Sequence, residues 1–193
     1  ASDAPETADM KFGIIALIVI LAGLGAAAPQ QRPQTGTIVF PNSGGPAAQA
    51  DFRRGVAWLH SFGYEDAIDA FRAAQKIDPD FAMAYWGEAM SFSQPLWFYE
   101  EVPQGRAALA KLGPTPEARS AKARTPREQG FMRAVEALFG PGDKPARAAA
   151  HAAAMAKVAA DNPGDDEAQT FYALALLATM PRGDASLPLR RQA

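Results

Sequence analysis

From residue 48 onward, apolar positions recur at three- and four-residue intervals, and each such stretch closes on Gly, Pro, Asn or Asp. That periodicity marks amphipathic helices with one buried face. It predicts helices over 48–62 (ended by Gly63), 64–77 (closed by Asp78-Pro79) and 81–93 (stopped before Gln94-Pro95). After a less regular section holding Trp97, Phe98 and Tyr99, helices are expected over 105–112, 116–122 and 126–139. Gly140 to Asp143 reads as a turn, and Pro145, at a first helical position, opens an Ala-rich helix to residue 160. Residues 165–179 form another helix, with Phe171, Leu174, Leu177 and Ala178 on one side. A further helix is expected from Ala185, after a turn at Pro181-Arg182-Gly183. No stretch alternates β-branched and polar residues as a sheet requires, so the expected fold class is all-α.

Upstream of residue 48 the pattern changes. Residues 12–24 are uninterruptedly apolar and follow Met10-Lys11; small residues 25–28 come next, then Pro29 and a polar stretch. A basic start, a short apolar run and a small-residue zone describe a secretory signal peptide over 10–28, cleaved after Ala27. Residues 1–9 carry Asp3, Glu6 and Asp9, the wrong sign for such a leader, and read as upstream or non-native residues ahead of a true start at Met10. The alternative is an uncleaved anchor helix from Phe12 to Ala28, although its apolar part is shorter than the ~20 residues a span requires. Gly23, Gly25 and Ala28 match a dinucleotide-binding fingerprint in spacing. A Pro-containing stretch follows them, however, and not the helix N-terminus that would hold a pyrophosphate. Residues 29–47, rich in Pro, Gly and small polar residues, read as an extended linker. The expected location is periplasmic or secreted, with a membrane-anchored form facing the periplasm if residues 12–28 stay attached.

Composition narrows the chemistry. The chain has 193 residues, 48% of them hydrophobic and 21% charged, with a formal net charge of −2. This suits a domain with a core and offers no clustered basic surplus for nucleic acid. Removing residues 1–28 takes away three acids and one lysine and leaves a formally neutral chain. There is no Cys, which excludes disulfides, thiolate metal sites and Cys nucleophiles. The two histidines, His60 and His151, are too far apart for a helical metal-binding pair.

Within 48–81, Gly55, Tyr64, Ala67, Phe71, Ala74 and Pro79 fall at the spacings of a ~34-residue helix-pair repeat. Small Gly55 and Ala67 let two antiparallel helices approach closely, Tyr64 and Phe71 fill the space between pairs, and Pro79 ends the second helix. The text GYEDAIDAFRAAQKIDPDF resembles the second helix of a tetratricopeptide repeat over its whole length. The region 48–193 is similar to a group of exported, poorly characterised bacterial tetratricopeptide-repeat proteins, on HSFGYEDAIDAFRAAQKIDPDFAMAYWGEAMSFSQPLW and FYALALL. The resemblance implies a right-handed solenoid of antiparallel helix pairs that serves protein–protein interaction or scaffolding in the bacterial envelope. In that group a His commonly stands where this chain has Gln94, so a polar or metal role resting on that His does not carry over. The group's members also continue past the equivalent of Arg191, so the chain is expected to be a fragment whose last apolar face lacks a covering helix.

On this template first-helix side chains line a concave groove. Phe52, Val56, Leu59 and His60 come from one pair, and Met83, Trp86, Met90 and Gln94 from the next. Such a surface suits an apolar or aromatic segment of a protein or peptide partner, with Trp86 and Met90 as anchors and His60 as a polar contact. The bland alternative is that these residues pack against neighbouring helices. A second class of reading is enzymatic or metal-dependent, built on His60 and Glu88 with residues beyond Ala193, Glu100 and Glu101 lying nearby. No nucleophile motif accompanies them, so neither catalysis nor a cofactor is expected. A third reading is a single-pass anchored subunit of a membrane complex, held by residues 12–28. His151 reads as a surface or packing residue, and Arg182-Gly183-Asp184 as a turn with Asp184 as an N-cap.

Overall fold

The structure, a computed structural model, describes residues 38–181 and 183. The expected signal peptide over 10–28, the residues before it, the first part of the expected linker and the helix expected from Ala185 lie outside the described residues. Eight α-helices are present among those described: α1 (Gln49–His60), α2 (Tyr64–Ile77), α3 (Ala82–Met90), α4 (Val102–Leu112), α5 (Pro116–Ser120), α6 (Pro126–Leu138), α7 (Lys144–Asp161) and α8 (Asp166–Ala178). Helices α1 and α2 pack as a hairpin, α3 packs on α2, and α4 and α6 both pack on α3. Helices α6, α7 and α8 then pack in succession. The molecule is mostly helical.

Local chemistry explains most helix boundaries. Thr115, Thr125, Asp143 and Asp165 each accept a hydrogen bond from a backbone N–H in the first turn of the helix that follows. Thr125 and Glu128 form a reciprocal capping box. Because Asp143 is the cap, α7 starts at Lys144 and Pro145 is its second residue. Helix α4 starts three residues before its expected beginning, since Pro103 sits in the first turn, where its missing N–H costs nothing. Helix α3 ends at Met90, short of the expected Ser93. Residues Ser93–Gln94 (β1) instead pair antiparallel with Tyr99–Glu100 (β2), around a 3₁₀ turn at Pro95–Trp97.

At the other end of the first hairpin, α1 closes in a Schellman geometry. The N–H of Gly63 donates to the carbonyl of Trp58, and that of Phe62 to the carbonyl of Leu59. Phe62, not Gly63, takes the left-handed position, with φ 60°. Gly63 is needed for space, because a Cβ there would lie 2.6 Å from the Trp58 ring.

The α1–α2–α3 crossing turns on one side chain. The Phe71 ring lies between two glycines, so that a Cβ on Gly55 would fall 2.8 Å from it and one on Gly87 2.3 Å. Ala67 and Ala74 are fully buried on the same face of α2, Tyr64 is half-buried at its start, and the carbonyl of Pro79 accepts from the Tyr85 hydroxyl at 3.0 Å. Glu88, also fully buried, receives Arg72 (2.8 Å), Lys111 (2.6 Å) and Gln75 (2.7 Å). Burial pushes its carboxyl up, but these donors outweigh that and hold it below the usual range.

Residues 38–47, assigned above to a linker, are docked on the core. Phe40 is buried, with ring centroids 5.3 Å from Phe52, 5.4 Å from Trp86 and 5.5 Å from Phe131. The Arg127 guanidinium covers Phe40 at 4.4 Å, donates to the Pro41 carbonyl at 2.9 Å and pairs with Asp165. Ser43 donates to Glu128 from both its N–H (2.7 Å) and its hydroxyl, and the Gly45 N–H donates to Asp78 at 2.8 Å. Pro and Gly here make an extended strap whose polar backbone finds partners at Gln49 of α1, at Asp78 just after α2 and on α6.

Phe40→Ala is expected to cost about 3–5 kcal/mol, the range for emptying a buried Phe site, measured by urea denaturation. The Glu88 carboxyl stabilises the fold above its ordinary value of 4.5 and loses that contribution as pH falls through its lower folded value. Stability should therefore fall on acidification below that point. Glu88→Gln, less stable at pH 7, should show a shallower decline.

Candidate functional site

A cavity of about 170 Å³ opens between the end of α1 and the face of α8. Leu59, Met90, Leu138, Phe171, Leu174 and Ala175 provide apolar wall, and His60, Tyr64, Ser93, His151 and Thr170 its polar groups. Both histidines of the chain thus meet at one site.

His60 is the last residue of α1 and Glu167 lies in the first turn of α8. The imidazole Nε2 donates to Glu167 Oε2 at 2.7 Å, and the ring sits 5.4 Å from that of Phe171. Each group suits its place, since a helix C-terminus favours a cation and an N-terminus an anion. The pair ties the two helix ends that frame the cavity.

His151 lies in the middle of α7 and is 4% exposed. Its Nδ1 is 2.8 Å from the carbonyl oxygen of Ala134 in α6. A carbonyl can only accept, so Nδ1 carries the proton. Burial pushes the imidazole pKa down, outweighing the opposite pull of that carbonyl. The ring is neutral, and Nε2 is a lone-pair acceptor with no hydrogen-bond partner among the described residues.

Beside the cavity lies a shelf of exposed large side chains: Phe62, Leu96, Trp97, Phe98 and Tyr99. Trp97, half exposed, packs edge-on to Phe62 at 5.1 Å and to Tyr64 at 6.1 Å. The loop is pinned from beneath. Arg147 of α7 pairs with Glu100 and donates to the carbonyl of Gly142 at 2.6 Å, while Lys144 donates to the carbonyl of Phe98 at 2.8 Å. Phe62 and Phe98 are the two non-glycine residues with positive φ among those described, and both stand on this shelf. A bulky residue in that conformation is uncommon and clusters at functional positions.

The expected groove residues divide. His60 and half-buried Met90 line the cavity. Val56, Met83 and Trp86 do not present a surface; they are core residues, a correction to the groove reading. Trp86 is enclosed by Phe40 from the strap, Phe131 of α6 and Phe171 of α8, at 5.4, 5.3 and 5.0 Å. Its indole N–H is buried without a hydrogen-bond partner. Truncating Trp86 would act on stability and not on a partner. The pairing of His60 with Glu88 also gives way: Glu88 is tied to Arg72, Lys111 and Gln75, and Glu167 takes the place beside His60. Glu101 accepts from the Tyr99 hydroxyl at 2.9 Å. Of Arg182-Gly183-Asp184, Gly183 alone is described, with φ 82°.

His151, Glu167 and the shelf backbone went unrecognised from the sequence. A signal for His151 existed, since Ala148, Ala152 and Met155 share its buried face of α7. No three-residue cluster of His, Asp or Glu suited to a metal occurs among the described residues, and none of their helices is long and apolar enough to cross a membrane. Comparison with family models, with curated proteins and with solved structures finds no match.

In the imidazole ¹⁵N spectrum, His151 should show the Nδ1-protonated neutral pattern and keep it through the ordinary histidine range near pH 6.5. A ring that titrates there would contradict its enclosure.

Proposed function

We propose that the chain is a tetratricopeptide-like helix-pair module of an exported protein, a binder and not an enzyme, which docks a segment of a partner polypeptide on the aromatic shelf. The apolar side chain of that segment lies across Phe62 and Trp97. The observation that carries this reading is the shelf itself: five large side chains exposed together, two of them held in left-handed backbone and the loop braced by Arg147 and Lys144. Exposed apolar groups in one patch, on a pinned scaffold, suit recognition without a large ordering cost. The close crossing at Gly55, Phe71 and Gly87 supports the helix-pair reading, and the apolar run over 12–24 supports export.

Phe62 provides the test. A non-glycine residue in the left-handed region costs about 1 kcal/mol or more, so Phe62→Gly relieves backbone strain while removing the ring. The variant should melt within about 1 kcal/mol of the parent in stability. Peptides selected from a random-sequence library against the folded parent should bind the Phe62→Gly variant at least about tenfold more weakly, a loss typical of an interface anchor. Selected peptides that bind both proteins equally would place the docking surface elsewhere.

A further inference from the structure

We infer that the cavity between α1 and α8 is a binding site for one neutral aromatic ring carrying a hydrogen-bond donor, a phenol, whose hydroxyl donates to Nε2 of His151. This assignment does not rest on the shelf reading: Phe62 borders both the cavity and the shelf, but a small phenol probes the one and peptides the other.

Size, polarity and charge each narrow the ligand. An apolar cavity of about 150 Å³ accepts a benzene ring, and this one, open on one side, has about 170 Å³. Its walls from Leu59, Met90, Phe171 and Leu174 suit a flat apolar body, with Phe171 available for ring contact. Among the described residues no Lys, Arg, Asp or Glu lines the space, so a charged ligand would lose its hydration without a counter-ion.

The remaining requirement comes from His151. His151 lines the cavity and is 4% exposed; its proton is committed to the Ala134 carbonyl, and the ring nitrogen left over, Nε2, is an acceptor. A hydrocarbon would leave that acceptor unsatisfied, and a ligand that only accepts would face it lone pair to lone pair. Water can serve Nε2, but an apolar chamber of this size holds a ring better than a water cluster. His60 stands in contrast to it: its Nε2–H is already given to Glu167. The titratable groups around the ligand are therefore His60 with its Glu167, His151 and Tyr64, the last with its hydroxyl pKa raised by burial and so uncharged.

The phenol could be a free small molecule or the side chain of a tyrosine, and the same chemistry recognises both. The probes are p-cresol, its donor-free analogue 4-methylanisole, and a terminally blocked Gly-Tyr-Gly peptide. Binding to the full chain is followed by calorimetry and by the imidazole ¹⁵N spectrum. p-Cresol should bind at least about tenfold more tightly than 4-methylanisole, the discrimination expected from one buried acceptor left unpaired. It should also shift the Nε2 resonance of His151 while Nδ1 keeps its proton. Ala178→Phe, which fills the cavity from the end of α8, should abolish p-cresol binding. His151→Leu should lower the affinity by a similar factor of about ten; should that variant not fold, the comparison of the two probes on the parent chain and the Nε2 shift still decide. Binding of the peptide as well as p-cresol would identify a tyrosine side chain as the occupant; binding of p-cresol alone would identify a free phenol. Equal binding of p-cresol and 4-methylanisole, an unmoved Nε2 resonance, or no p-cresol binding up to its solubility would overturn the assignment.

Discussion

The packing of rings around Trp86 is the constraint on which the rest of the structure depends. One indole joins elements that are distant in the chain: Phe40 of the strap, Phe131 of α6 and Phe171 of α8 all lie within 5.4 Å of it, centroid to centroid. The contacts of Phe131 and Phe171 are edge-on and that of Phe40 is tilted; such ring contacts add to simple burial and fix the relative rotation of the helices that carry them. With Phe171 held against Trp86, the N-terminal turn of α8 meets the C-terminal end of α1, and His60 reaches Glu167. The cavity is the space left where that meeting is incomplete. An orphaned indole N–H in the same cluster indicates that ring geometry prevails over polar satisfaction at this point.

Much of the helical framework was legible because its signals are local. Helix α2 begins at Tyr64 and ends at Ile77, as Asp78-Pro79 requires. Gly55 and Ala67 could be read from spacing as the small residues of a close crossing, since that needs little or no side chain at a defined turn, but the seating of the Phe71 ring against Gly55 comes from packing. Gly87, the second glycine against the same ring, carries no such spacing signal and emerges only from three-dimensional packing. The strap failed to announce itself for a related reason. Pro, Gly and Asn favour extended backbone whether a segment is tethered or free, and the deciding contacts of Ser43 and Arg127 join residues some 85 positions apart, at separations of 85 and 86.

The site was less legible than the fold. Apolar periodicity marked Val56, Met83 and Trp86 as facing something, and could not say whether that something was a partner or the rest of the chain. It was the rest of the chain, because α8 and the strap occupy the face an open groove would present. His151 was hidden by its neighbours: a histidine in an alanine-rich helix offers no local companion, and its partner is a main-chain carbonyl, which sequence does not distinguish. The two left-handed residues were equally invisible, since Phe is the wrong side chain for that conformation. Helix α1 ends as a glycine-capped helix ends, but with the glycine one position late.

The strap has a consequence for the order in which the protein can be made. A chain is synthesised, and threaded through any membrane pore, from its N-terminus. Phe40 therefore emerges long before Phe131, and the Pro41 carbonyl long before Arg127 and the Asp165 that holds it. Over that interval, from Phe40 to Phe131, the ring has no complete seat, and the helices that will bind it fold with their shared centre open. The last segment of the domain to find its place is then among the first to appear. Anything that shelters residues 38–45 in the meantime would bear on how much finished protein results, while touching none of the groups that make the site.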